Sequence, residues 1–224
     1  MRRPSTDRSG AGGLILVDRD LVADDVAAAR PGPGLRLARI VTELTAPAVL
    51  VSLLTVVIGW HSAQGRLSGV GWGLVAVVFA SLLPMAYIVG GVRRGRLTDH
   101  HVRVREQRRI PLLFGLGSVA AGLALLAVLG APRPVLALVA AGLVGLVVAV
   151  TVSQWWKMSI HSAVAVGTLA VLLVTFGVWV LVATPLLGLV GWSRVRLGDH
   201  TPAQVLAGGV LGGLVAAVVF TVLR

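Results

Sequence analysis

The sequence predicts an all-α protein, a polytopic transmembrane bundle of six or seven helices. Three observations carry that expectation. Hydrophobic residues make up 56% of the 224 positions and charged residues only 13%, with a mean hydropathy of +0.91. The apolar residues come in runs that reach about 20 positions, the length a helix needs to cross a hydrocarbon core of about 30 Å. Glycine is frequent inside those runs, 28 residues in the whole chain. Small side chains let helices approach closely in lipid, where burial from water no longer drives association. With no cysteine, disulfides, thiolate catalysis and cysteine-bound metal are excluded.

Taken in order, residues 1–35 mix Gly, Pro, Asp and Arg without a sustained apolar pattern. They read as a mobile, solvated cytoplasmic tail ahead of a transmembrane domain over 36–224. The apolar stretch 14–17 is too short for the core of a signal peptide, so no cleaved leader is expected. A first spanning helix is expected over 37–60 and a second over 70–92, separated by a loop containing Gly65 and Ser68. Trp60 and Trp72 fall near the ends of these runs, where indole rings favour the headgroup layer.

After a polar segment over 93–109 comes a helical hairpin over 111–131 and 134–155, its turn marked by Pro132, Arg133 and Pro134. Residues 162–192 carry no charge. As one straight helix at about 1.5 Å per residue they would overrun the membrane. Two short crossings that turn at Phe176 and Gly177 resolve the excess, and a last helix covers 202–223. That makes seven crossings, with six as the alternative.

Seven crossings put all but Arg66, Arg133 and Arg224 of the 20 Lys and Arg residues on one face. By the positive-inside tendency that face and the N-terminus are cytoplasmic in a cell-membrane protein, and the C-terminus is external. Phosphate ligands add positive charge to whichever face holds a site, so the tail arginines are the better markers.

Three polar clusters share the basic face. One is the loop with Arg105, Arg108 and Arg109; the second is Lys157, Ser159 and His161; the third is the segment 193–204, where Arg194 and His200 stand six positions apart. Arginine supplies a fixed cation for phosphate oxygens, and histidine a nitrogen that attacks phosphorus or carries a proton. Such residues are costly beside lipid, which points to a function. Each also has a plainer reading. A histidine at a helix start is commonly a satisfied one, and an arginine loop commonly meets anionic headgroups. Thr201, Pro202, Ala203 and Gln204 read as a capping box with proline at the first helical position.

These clusters resemble the motifs of the type 2 phosphatidic acid phosphatase (PAP2) superfamily. The third motif of that family, Ser-Arg, five residues, His, three residues, Asp, is matched by Ser193, Arg194 and His200, with Gln204 where the aspartate stands. The second, Pro-Ser-Gly-His, is matched by Ser159 and His161, with Met158 and Ile160 in the other two places. The first, a lysine followed six residues later by Arg-Pro, has its nearest candidates in Arg105, Arg108 and Arg109, ahead of a displaced Pro111.

The resemblance implies a PAP2-like helical core and a metal-independent phosphatase acting on a membrane lipid phosphate or diphosphate, of isoprenoid or phosphatidate type. It assigns His200 as nucleophile forming a phosphohistidine and His161 as the acid for the leaving oxygen. Arg194, Ser159 and the first-motif cations would hold the phosphate. Lys157, one turn before His161 if that stretch is helical, would join them. Gln204 would orient His200 without adding charge. No cofactor, metal or nucleic acid is expected; the partners are the substrate lipid and the bilayer.

Two other classes stay open. The departures at Met158, Ile160 and Gln204 suit a lipid-phosphate binding or transport protein without turnover. Asp99, His100 and His101 with Asp199 and His200 sketch a metal site, and Asp99 with nearby carboxylates resembles the magnesium and diphosphate sites of a UbiA-type prenyl-transfer enzyme, which would depend on Asp99 and not on His200, although a second aspartate-rich motif is missing.

Overall fold

The computed structural model describes residues 32–63, 65–98, 107 and 109–224. The chain divides into two units, Met1–Pro33 and Gly34–Arg224, and the helical bundle is the second. Residues 1–31 of the expected tail, like Arg105, Arg108, Asp99, His100 and His101, lie outside the described residues, while its last three, 33–35, already belong to the first helix. Every regular element among the described residues is a helix.

The first expected span is broken. Helix α1 (Pro33–Leu44) and helix α2 (Pro47–Ser62) meet at a bend of 41°. Pro47 is the cause: it disfavours helical geometry in the residue before it, and Ala46 sits at ψ 141°. The second span is continuous over Leu67–Arg93. It comprises α3 (Arg66–Val77), a π-helical turn (Val78–Leu82) and α4 (Leu83–Arg93). The wider turn precedes Pro84, whose ring would clash with the carbonyl four residues back in a regular helix.

Helices α5 (Arg109–Val128) and α6 (Arg133–Ser153) form the expected hairpin, turned at Gly130 with φ +77°. The uncharged stretch then splits into α7 (Ile160–Phe176), a 3-10 turn (Val178–Ala183) and α8 (Thr184–Arg196). The break is Gly177, whose φ of +84° is open to glycine and strained for other residues. Helix α9 (Pro202–Leu223) closes the chain.

Among the described residues five stretches are individually long and apolar enough to cross a membrane, the bent α1–α2 pair reaches that length only when taken together, and α7, at 17 residues, is a shorter apolar helix. At about 1.5 Å per residue α7 covers about 25 Å, enough for a short crossing. This is a multi-pass membrane protein.

One contact decides where the polar residues meet. Gly208 of α9 lies on the backbone of Ser159, Gly212 on that of Ala163, and Gly167 of α7 faces Ala216. All three pairs share one offset, so α7 and α9 run parallel and in register. Cβ atoms at Gly208 and Gly212 would collide with main-chain carbonyls of the partner helix, so the glycines expected to be packing surface are what allow this approach. At the far end Arg224 Nη1 donates to the Val174 carbonyl, 2.8 Å away. With α8 returning between them in sequence, α7 and α9 both start at the same end of the bundle.

Candidate active site

The link from α8 to α9 builds the site. Ser193 and Arg194 occupy the last turn of α8, and Gly198, with φ +70°, stands two residues beyond its last one. This left-handed cap folds the chain back, so that the Asp199 N–H donates to the Arg194 carbonyl at 3.1 Å and the Gly198 N–H to that of Val195 at 3.0 Å. The His200 N–H reaches the Arg194 carbonyl as well, at 3.3 Å. Three residues with chemistry are thereby stacked on one helix end.

Arg194 is only 2% exposed. Its Nη2 makes an ion pair with Asp199 Oδ2 at 2.8 Å, and its Nη1 donates to Thr42 Oγ1 of α1 at 3.3 Å. Thr42 in turn donates to Ser193 Oγ at 3.2 Å, and Ser193 to the Val190 carbonyl at 2.8 Å. A buried guanidinium needs such partners, because desolvation of an unpaired charge costs several kcal/mol.

The start of α9 orients His200. Thr201 Oγ1 accepts from the Gln204 N–H at 3.3 Å, and Gln204 Oε1 accepts from the Thr201 N–H at 3.2 Å, the full capping box. The same Oε1 lies 3.2 Å from His200 Nδ1. Gln204 therefore caps the helix and faces the histidine at once, so the two roles weighed for it do not compete.

Beside it, Ser159 caps α7: its Oγ accepts from the Ser162 N–H at 3.4 Å and from the Ser162 hydroxyl at 3.1 Å. Its own N–H donates to the Gln204 carbonyl at 3.1 Å, tying the two helix starts together. His161, buried, is the second residue of α7.

His161, Arg194 and His200 all line one cavity of about 370 Å³. The rest of its wall is mostly apolar, with Met158, Val164, Val171, Leu138 and Leu54 among the lining side chains. From His161 to Val171 along α7 it runs inward by about 15 Å at the helical rise. The cavity thus has a cationic end, set where two helix N-termini present their partial positive charge, and an apolar body.

Residues 110–224 match the model of the PAP2 superfamily. The chain belongs to the PAP2 superfamily. Membership carries a phosphatase-type function in general, and the matched region holds His161, Arg194, Asp199, His200 and Gln204. No curated protein and no solved structure gives a match.

Other expected ligands of this PAP2 protein stand elsewhere. Lys157 is half-buried in a stretch without regular structure, because α7 starts only at Ile160; the helical turn that would have linked it to His161 does not exist. It is not on the cavity wall, and neither is Ser159, whose oxygen is engaged as a cap. Arg109 is exposed at the first residue of α5. Arg105 and Arg108 are among the residues not described.

Two partners of Arg194 escaped the sequence reading. Asp199 was read only with His200, as part of a metal alternative, and it is the reversal at Gly198 that turns it onto Arg194. Thr42 gave no signal, since it is distant in sequence and lies outside the matched region.

Proposed function

We propose that this PAP2 protein is a metal-independent phosphatase of a membrane lipid phosphate or diphosphate, and that it works through a phosphohistidine on His200. The observation that supports it is the convergence of His161, Arg194 and His200 at the cationic end of an otherwise apolar cavity. Arg194 and the N-termini of α7 and α9 hold the phosphoryl oxygens and stabilise charge as it develops. With Nδ1 turned to Gln204, Nε2 of His200 attacks phosphorus. The bond from phosphorus to the leaving oxygen breaks, and His161 gives that oxygen a proton. Water then attacks the phosphohistidine with its proton passing to His161, the P–N bond breaks, and phosphate leaves. The apolar body of the cavity takes the isoprenoid or acyl tail, the bilayer supplies the substrate, and the basic face is cytoplasmic.

The test is phosphate release by the purified protein in detergent with EDTA, over phosphatidate, phosphatidylglycerol phosphate and a polyprenyl diphosphate, beside His200→Asn. Chelator-resistant release abolished in the variant is the expected result. A second reading, a lipid-phosphate binding protein without turnover, is favoured by the neutral Gln204 beside the histidine. Binding of the same lipids without release would select it. Magnesium-dependent release of diphosphate from the polyprenyl diphosphate that survives His200→Asn would select prenyl-transfer-like chemistry instead.

A further inference from the structure

Helix α1 lies outside the region matched to the family, yet it touches the buried arginine. It is also divided into three faces rather than two. At about 100° per residue, Gly34, Ala38 and Thr42 share one side, where Ala38 and Thr42 are buried against the bundle. Leu37, Ile40 and Leu44 share another, 51%, 55% and 69% exposed. Arg36, Arg39 and Glu43 share the third and are exposed too. An exposed apolar row beside an exposed charged row is the pattern of a helix at the boundary of lipid and water. After the bend before Pro47, α1 meets the bundle where α8 terminates, with Thr42 on Arg194 and Gly34 close to the Arg196 guanidinium.

We infer that Thr42 is a positioning residue for Arg194, delivered to the active site by an interfacial helix. Its hydroxyl accepts from Arg194 Nη1 and donates to Ser193 Oγ, so it fixes one arm of the guanidinium while Asp199 fixes the other. A guanidinium gripped on both arms cannot rotate away, and its orientation toward the phosphoryl group is set before substrate arrives. Valine in place of Thr42 keeps the volume and removes the bond; serine keeps the bond and removes the methyl group.

This assignment rests on the phosphatase reading, and the experiment separates the two. Full-length wild type, Thr42→Val, Thr42→Ala, Thr42→Ser and His200→Asn are compared in detergent for phosphate release from phosphatidate and for binding of orthovanadate. Thr42→Val and Thr42→Ala are expected to lose about tenfold in kcat/KM and about tenfold in vanadate affinity, as for a lost hydrogen bond to a charged group. Thr42→Ser is expected to restore both. Unchanged vanadate binding in Thr42→Val, or a serine variant as impaired as the valine one, would overturn the role of the hydroxyl. If the wild type releases no phosphate from a lipid phosphate the phosphatase reading fails, and the vanadate titration alone then decides the question for Thr42.

Discussion

Gln204→Glu should make this protein a faster phosphatase. The substitution is isosteric, and it preserves the capping box, since glutamate is a usual partner of an N-cap threonine. It places a carboxylate oxygen where Gln204 Oε1 now sits, 3.2 Å from His200 Nδ1. With an effective dielectric of about 20, a full charge at that separation attracts the imidazolium formed during attack by about 5 kcal/mol. Much of this is offset by taking the carboxylate out of water, and charge-assisted hydrogen bonds retain about 1.5–3 kcal/mol net. The expected gain is therefore about tenfold to a hundredfold in the rate of phosphohistidine formation. Single-turnover release from a saturating lipid phosphate measures it, with Gln204→Leu as the variant that removes the acceptor and slows the step. A glutamate variant no faster than wild type, together with an unimpaired leucine variant, would show that the His200–Gln204 contact takes no part in the reaction.

Three further outcomes follow from the same geometry. Gly198→Ala forces a Cβ into the left-handed cap at φ +70°, at a cost of about 1–2 kcal/mol. Because it displaces His200, kcat should fall by about tenfold or more, measured against a melting curve that moves only slightly. Gly208→Leu drives α9 off the Ser159 backbone and should abolish release, while Gly117→Ala, with no neighbour within 4 Å, should leave it unchanged. Asp199→Asn takes the charge from a buried pair of 2.8 Å and should cost about 3–5 kcal/mol. Thermal unfolding in detergent would show a drop of several degrees, partly recovered by saturating inorganic phosphate as a substitute counter-ion for Arg194; an unchanged melting temperature would show that the pair is not what neutralises the arginine.

How much of this could be read in advance depended on range. The prolines at 132 and 134 and the glycine at 177 punctuate the chain locally, so the hairpin and the split of the long uncharged stretch were legible from spacing alone. The break at Ala46 was equally local, since Pro47 is in the sequence, but the apolar run across it hid the bend. The reading of Lys157 was conditional for the opposite reason: a register counted back from His161 holds only where the backbone is helical, and here the helix begins one residue before that histidine.

By itself the sequence determined the solvent, the helical class and the spacing of Arg194 and His200, because hydropathy and short motifs depend on neighbours along the chain. The tertiary structure alone decided that α7 and α9 run parallel on facing glycines, which brings His161 to the cavity shared with Arg194 and His200. It also decided what grips the arginine. Thr42 and Asp199 act at a distance of a few ångströms from Arg194, one across most of the chain and one across a turn that only Gly198 permits. A charge taken out of water must find its partners in space, and the order of residues along the chain does not name them.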